Sequence, residues 1–334
     1  MKFSGLLSTI LILLSINGLK AQTGNISVKL IGGYNVAMKQ NAEKNISALL
    51  NEFNKTYNAD ASLNYNNIKI TEEAKKNINS MWQFNEFYCP QSSISETLSK
   101  GLQNYELRNI PVLLKDDSGT KQQEIAIEVN EQGEITDLYF SLQQFQYKNI
   151  MSTGNNVVEE TQLNIIRNFL ENMKTSYMRK DIDFINNIFS DKALIIVGKK
   201  IQQTERQSLD LTATRKEHLF DKNSTQFKKL TKEQYLNNLK SVFQRNKSIS
   251  VNFEDIEIVR HKKRGYESYY GIRLKQDWYS DNYSDQGLLF FVIEFREDDN
   301  PLIWVRVWQD PDTDASQQIG LGEIKINPTK KEND

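Results

Sequence analysis

Three aspartates at a spacing of four, with aromatic residues between them, could form a metal or substrate site in the segment QDWYSDNYSDQGLLFFVIEF (276–295). In an extended strand, however, residues four apart lie about 13 Å from one another along one face. Asp277, Asp281 and Asp285 therefore cannot all bind one cation if the strand continues. Ser, Asp and Gly favour turns, so Ser284–Gly287 predicts the turn of a β-hairpin, with the aspartates at its solvated end.

A second acidic segment, DPDTD at 310–314, has the one-three-five spacing of a calcium-binding loop. That loop requires glycine at its sixth position and a bidentate glutamate at its twelfth, where this chain has Ala315 and Leu321. The sequence contains no H-E-x-x-H, C-x-x-C or G-x-S-x-G motif. We therefore predict no metal ion and no cofactor.

The strand-like segment LIWVRVWQ (302–309) alternates two kinds of side chain. Strand alternation predicts that its two tryptophans and its arginine share one face, while the β-branched residues pack against helices on the other. A buried arginine needs a carboxylate, since an unpaired buried charge is very costly, and Glu294 on the preceding strand is the expected partner. The predicted ligand contacts are Trp278, Glu294, Trp304, Arg306 and Trp308.

Two alternatives for this face stay open. Aromatic residues flanking an arginine also form stacked surfaces or subunit interfaces. Glu294 and Arg306 are the only pair that could act as acid and base, but ion pairing would depress the pKa of Glu294 and make it a poor base near neutrality. We predict no catalytic residue.

The N-terminus predicts an exported protein. Residues 1–21 combine Lys2, an apolar run from Leu6 to Ile16 and the small residue Ala21, the pattern of a cleaved secretory signal peptide. The run is too short to span a bilayer, so no membrane span is expected after cleavage. A single cysteine, Cys89, allows no internal disulfide and is expected to be a small buried residue.

The charge balance argues against nucleic acid as a partner. Cleavage would leave 40 basic and 43 acidic side chains, a net charge of −3, which is unlike the basic surface of a nucleic-acid-binding protein. The basic segment RHKKR at 260–264 lies between two strand-like runs and is expected to be a solvated hairpin tip.

Hydrophobic periodicity predicts two α+β halves in which helices lead into strands. In the first half, residues 22–151, a short strand and two helices precede strands at Tyr105–Leu114, Glu124–Val129 and Ile135–Leu142. The second half, residues 157–311, begins with an amphipathic helix over Glu159–Arg179.

A short helix capped by Asp181 and a strand at Ala193–Val197 follow, and then a polar insertion, 199–229, that is expected to be a loop. A helix with a capping box at Thr231 and Gln234 comes next. The four closing strands are Ile249–Val259, Tyr269–Tyr279, Leu288–Phe295 and Leu302–Trp308. Residues 312–334 are expected to be a loosely attached polar tail.

The segment FLENMKTSYMRKDIDFINNIFSDKALIIVG (169–198), together with the closing strands, resembles the nuclear transport factor 2-like (SnoaL-type) superfamily and its uncharacterised exported bacterial members. The resemblance covers about 160–311, and the first half, about 26–150, resembles a weaker second copy. It implies two tandem cones, each a curved antiparallel sheet wrapped around helices. The superfamily includes isomerases, cyclases, hydrolases, dehydratases and non-catalytic binding or dimerisation modules, so the fold leaves the function open.

We therefore predict an exported, non-catalytic binding or assembly module of the cell envelope, in the periplasm or outside the cell. The candidate partners are an unknown small molecule, an envelope protein and a second copy of this chain in a homodimer. The alternative is a lyase, isomerase or hydrolase that uses the cavity of the second cone.

Overall fold

The computed structural model describes residues 25–32, 35–115, 121–154, 158–202, 223–260, 266–281, 283–296, 300–322 and 324. The predicted signal peptide, 1–21, and most of the basic hairpin tip lie outside the described residues. Along the chain, the first half comprises β1 (Ser27–Ile31), α1 (Val36–Thr56), α2 (Glu72–Phe84), β2 (Phe87–Tyr88), β3 (Ser93–Lys100), β4 (Tyr105–Leu114), β5 (Lys121–Val129), β6 (Ile135–Phe140) and α3 (Gln144–Gly154).

The second half follows the predicted order of helices and strands. It comprises α4 (Glu160–Met178), α5 (Ile182–Asn187), β7 (Phe189–Gln202), β8 (Asn223–Leu230), α6 (Lys232–Arg245), β9 (Ile249–Arg260), β10 (Tyr269–Ser280), β11 (Tyr283–Glu294), β12 (Leu302–Gln309) and a 3₁₀ turn at Ala315–Gln317. The predicted capping box of α6 is confirmed, because Thr231 and Gln234 each bond the other's backbone. Of the predicted insertion loop, 199–229, residues 203–222 lie outside the described residues, while its two ends belong to strands β7 and β8.

The two sheets confirm a mixed α+β fold, but neither is wholly antiparallel. The first has the order β1-β3-β4-β5-β6, with β2 beside β4, and the second has the order β8-β7-β12-β11-β10-β9. In the first sheet β1 runs parallel to β3, and in the second β12 runs parallel to β7. The predicted antiparallel sheets are therefore wrong at these two strand pairs, while the other pairs are antiparallel.

The two halves differ in connectivity. In the first half a strand precedes the helices and pairs with β3, whereas in the second half the first strand follows two helices and pairs with the last strand. The tandem duplication is therefore not confirmed. One continuous apolar cluster spans both halves, from Ile26 to Trp308, and α3 packs on β9 of the second sheet. The domain boundary near 151–157 stays a prediction.

The hairpin of β10 and β11 is confirmed, although its turn lies earlier than predicted. Ser280 pairs with Tyr283, so Ser284–Gly287 belongs to β11. The Asp281 carboxylate accepts hydrogen bonds from the backbone N–H of Lys247 and Ser248, and this contact with a distant segment holds the chain reversal in place. Asp277 and Asp285 lie along the two strands, opposite Gln286 and Trp278.

The C-terminal segment packs against the second sheet as far as it is described. Ile319, Leu321 and Ile324 cover an apolar cluster on the face of the sheet that points away from the helices. Gln309 anchors the segment by donating to the Gln317 carbonyl and accepting from the Ile319 N–H. The prediction of a loosely attached tail is therefore wrong for this part of the chain. Among the described helices, none has the length and apolarity needed to cross a membrane.

Candidate functional site

A β-bulge in β12 decides where the predicted site residues point. Val305 pairs with Val292 and Ile303 pairs with Ile293, which leaves Trp304 as the extra residue between them. A bulge adds one residue and so reverses the in-and-out alternation beyond it. The prediction that the tryptophans and the arginine of this strand share one face is therefore wrong.

On the inner face of the second sheet, defined as the side covered by α4 and α6, β12 presents Ile303, Arg306 and Trp308. The last two are paired with Phe291 and Leu289 of the main core. On the outer face it presents Trp304, Val305 and Val307, which belong to the cluster under the C-terminal segment. The β-branched residues, apart from Ile303, thus pack away from the helices.

Glu294 lies with Trp304 on the outer face. Its carboxylate accepts a hydrogen bond of 2.7 Å from the indole Nε1 of Trp304, whose ring meets Tyr269 edge-on at 6.4 Å between centroids. The expected ion pair between Glu294 and Arg306 is therefore wrong, because the bulge separates the two side chains onto opposite faces.

Arg306 meets aromatic side chains on the inner face. Its guanidinium carbon lies 5.2 Å from the ring centroid of Tyr235 on α6. The Tyr235 hydroxyl is 2.7 Å from that of Tyr177 on α4, and the Trp278 ring meets Tyr177 edge-on at 5.6 Å. Three of the five predicted residues, Trp278, Arg306 and Trp308, therefore share the inner face, and two do not.

The charge of Arg306 has no carboxylate partner among the described residues. The side chain is 93% buried, and its Nε and Nη1 donate to no group in the described structure. Proximity to a hydroxyl and to the face of a ring offsets only part of the cost of desolvating a cation. The Arg306 guanidinium can therefore still donate to an anionic or strongly accepting group.

Tyr177, which lies beside Arg306, is a poor proton donor. Burial raises the pKa of the Tyr177 hydroxyl well above its usual value, the nearby Tyr235 raises it further, and the Arg306 guanidinium lowers it by less. Tyr177 therefore stays neutral near pH 7 and can orient a bound group through a hydrogen bond.

The position of Trp308 depends on Gly287 having no side chain. A Cβ on Gly287 of β11 would lie 2.0 Å from the indole Nε1 of Trp308, so only glycine lets the ring lie flat across that strand. The Trp308 Nε1 is buried and has no acceptor within the described part of the chain. Gly287, predicted to form a turn, is thus needed for close packing.

A second polar cluster, which sequence reasoning missed, joins the two halves. On β4, Glu106 and Arg108 are buried against Arg167 and Glu171 of α4. Lys174 of the same helix is also buried and donates to Gln123 and to the Ser141 carbonyl. Two hydrogen bonds of the cluster are Arg167 Nη2 to Glu106 Oε1 at 2.8 Å and Arg108 Nη1 to Glu171 Oε2 at 3.1 Å. Arg108 also contacts Glu106, so each arginine lies between two carboxylates. We call the five charged residues the junction network.

One signal for the junction network was present in the sequence. Arg167, Glu171 and Lys174 are spaced by four and three, which places them on one stripe of α4. A charged stripe on a helix is ordinarily exposed to solvent. Here the first sheet packs against this stripe of α4 and buries it. Burial lowers the pKa of Lys174 to about 8 against the opposing effects of Glu171 and Glu124.

Comparisons with known proteins leave the family open. No protein-family model matches the chain, and no curated protein sequence is similar to it. Among solved structures, Bd1075 of Bdellovibrio bacteriovorus is 12% identical at a TM-score of 0.30, over 46% of this chain and 44% of that one, so the match spans less than half of that protein.

Two further structures are similarly distant. A putative scytalone dehydratase from Novosphingobium aromaticivorans is 9% identical at a TM-score of 0.27, over 44% of this chain and 83% of that one. The helical cell shape determining protein Pgp2 of Campylobacter jejuni is 13% identical at a TM-score of 0.32, over 63% and 92%. Likenesses at this level support no argument about function, and the superfamily resemblance stays a prediction.

Proposed function

We propose that this protein is a non-catalytic binding module whose second half binds a small molecule through an anionic group, of the carboxylate type, at Arg306. The unpaired, 93% buried guanidinium supports this proposal more than any other observation. An anion placed there would accept a charge-assisted hydrogen bond from Nε or from Nη1 and would offset the cost of the isolated charge.

The surroundings of Arg306 favour a ligand with an apolar body. Aromatic rings line the inner face beside it, from Tyr177, Tyr235 and Trp278. Ligand sites in proteins combine apolar and aromatic walls with a few polar groups that fix orientation. An aromatic or alicyclic carboxylate matches both features.

The positions and pKa directions of the ionisable side chains near the Arg306 guanidinium favour binding over catalysis. A lyase, isomerase or hydrolase of this fold needs an acid and a base that face one reacting atom. Glu294, the only base that the sequence nominated, lies on the outer face, and burial keeps the Tyr177 pKa too high for proton transfer near neutrality. The alternative activity therefore loses the acid–base pair on which it depended.

Matched pairs of ligands test this proposal. Benzoate and phenylacetate would be titrated by calorimetry against the wild-type protein, with benzamide and phenylacetamide as neutral controls of the same shape. Wild-type protein is expected to bind the carboxylates at least tenfold more tightly than the amides. Arg306→Gln should abolish that preference, and Arg273→Gln, which changes an arginine on the outer face paired with Glu257, should retain it.

Three results would contradict the proposal. Equal affinity for carboxylates and amides would remove the role of charge, and unchanged binding by Arg306→Gln would place the ligand elsewhere. Failure of every carboxylate to bind would leave the guanidinium without the assigned role. Turnover of any probe by the purified protein would instead favour the enzymatic alternative.

We also propose that the protein is exported after removal of residues 1–21 and that its second half belongs to the nuclear transport factor 2-like superfamily. The apolar N-terminal run supports export, and the order of helices and strands in the second half supports the superfamily. Mass spectrometry of the mature chain tests cleavage after Ala21. The homodimer stays a prediction, which light scattering of the purified protein tests.

A further inference from the structure

A groove of about 820 Å³ lies between the two halves, away from Arg306. One wall comes from the end of α2 and from the facing ends of β4 and β5. The other comes from the start of β9 and from the tip of the β10–β11 hairpin. The groove is therefore built from six elements of both halves.

Both walls are held by contacts between the halves. The Lys121 ammonium of β5 lies 3.5 Å from the ring centroid of Tyr279 on β10. Lys180, which follows α4, lies 4.0 Å from the ring centroid of Phe84 and donates to the Asn246 carbonyl. The groove is thus a fixed feature of the fold.

The charges in the groove favour an anionic ligand. Three lysines from three separate segments line it: Lys115, Lys121 and Lys247. Two described carboxylates also line it: Asp281 accepts hydrogen bonds from the backbone at 247 and 248, and Glu86 lies 3.9 Å from the Lys115 ammonium. Three ammonium groups against two carboxylates leave an excess of one positive charge. The chain as a whole has a net charge of −1, so this positive balance is local.

We infer that the groove is a docking site for an acidic peptide segment of a partner protein. Serine, asparagine and glutamine side chains that can bond a peptide backbone also line it. An acidic sugar chain fits less well, because sugar rings stack on open aromatic faces. Here the rings of Phe84 and Tyr279 are each covered by a lysine, and Tyr283 alone is openly exposed, at 58%.

The test is fluorescence anisotropy with a labelled hexaglutamate peptide, and hexaglutamine and hexalysine serve as controls. Wild-type protein is expected to bind hexaglutamate with an affinity that falls at least fivefold between low and physiological salt, since the lysines are solvent-accessible. The double variant Lys115→Gln/Lys247→Gln should weaken binding tenfold or more. Lys240→Gln, an exposed lysine of α6 outside the groove, should change it by less than twofold.

Three outcomes overturn the inference: no binding of hexaglutamate, equal binding of hexaglutamine, or unchanged binding by the double variant. Stronger binding of an acidic oligosaccharide such as oligogalacturonate than of hexaglutamate would also overturn it in favour of a glycan site. Arg306→Gln is expected to leave peptide binding unchanged. The failure of this inference and that of the proposed carboxylate site are therefore distinguishable.

Discussion

Two arginines are buried to almost the same extent in this protein, and their surroundings differ. Arg108 in the first sheet is 7% exposed and contacts the carboxylates of Glu106 and Glu171. Arg306 in the second sheet is also 7% exposed and has aromatic rings and a hydroxyl around it instead. Both positions impose a desolvation cost on the cation, but within the described part of the chain the first has counter-charges that offset it and the second does not.

The surroundings of Arg108 indicate a structural role, and the proposed function gives Arg306 a binding role. The junction network neutralises its arginines with carboxylates of the same chain, and it joins β4 to α4, so its charges hold the halves together. The Arg306 site keeps an unsatisfied cation on the inner face of the second sheet. In the proposed function, a bound carboxylate offsets the cost of that charge.

The largest expected effect comes from breaking the junction network. Arg108→Met would leave Glu106 and Glu171 buried with one cation fewer, and removing one partner of a buried ion pair costs about 3–5 kcal/mol. Urea denaturation should show the free energy of unfolding falling by this amount. Arg273→Met, whose ion pair is partly exposed, serves as control and should cost less than about 1 kcal/mol. A loss below about 1 kcal/mol in Arg108→Met would mean that the network is not structural.

The next effect depends on pH. Glu106, Glu128 and Asp137 lie opposite one another on β4, β5 and β6. Burial, together with Glu106 and Asp137, raises the pKa of Glu128 to about 7, although Asn104 and Arg167 act in the opposite direction. The folded state therefore binds more protons than the unfolded state between about pH 4.5 and 7. Glu128 accordingly makes the protein less stable as the pH rises through that range.

Glu128→Gln removes this penalty. We expect the variant to match the wild type near pH 4 and to be more stable by up to about 3 kcal/mol at pH 8, measured by urea denaturation at both pH values. Glu257→Gln, an exposed carboxylate on β9, should show no such pH-dependent gain. An equal effect of Glu128→Gln at the two pH values would contradict the prediction.

A smaller effect is expected from disturbing the Trp308 side of the inner face. Gly287→Ala places a methyl group where the indole lies, and such overpacking costs about 1–3 kcal/mol. Thermal unfolding and tryptophan fluorescence should both change. In Gly322→Ala the new methyl group meets nothing within 4 Å, so neither measurement should change. An unperturbed Gly287→Ala would mean that Trp308 is not held against β11.

The smallest effect should have the opposite sign to the first. Arg306→Met removes an unpaired buried charge and keeps most of the volume, so without ligand the variant should be as stable as the wild type or more stable by about 1 kcal/mol. Urea denaturation of ligand-free protein measures this difference. A large loss of stability in Arg306→Met would show that Arg306, like Arg108, stabilises the fold.

Local chemistry in the sequence predicted much of the second half correctly. The capping box at Thr231, the cap at Asp181 and the four closing strands depend on residues within a few positions of each other, so short-range patterns identify them. The burial of Cys89 also followed from its apolar neighbours.

The predictions that were wrong or missing concern features that depend on contacts between residues far apart in the chain. Nothing in LIWVRVWQ marks Trp304 as the extra residue of a bulge, because the pairing register depends on β11 and β7. Likewise, the turn near Asp281 depends on backbone groups 33 and 34 residues earlier in the chain. The junction network joins residues about 60 positions apart.

By itself, the sequence determined the helices, most strands, the mixed α+β class and a compact set of candidate residues around Arg306, since propensity, capping and periodicity act over a few residues. Only the tertiary structure decided which of those candidates share a face, which arginine is neutralised and where a groove opens between the halves. The physical reason is that burial and pairing of charge depend on which surfaces meet, and those surfaces come from segments far apart in the chain.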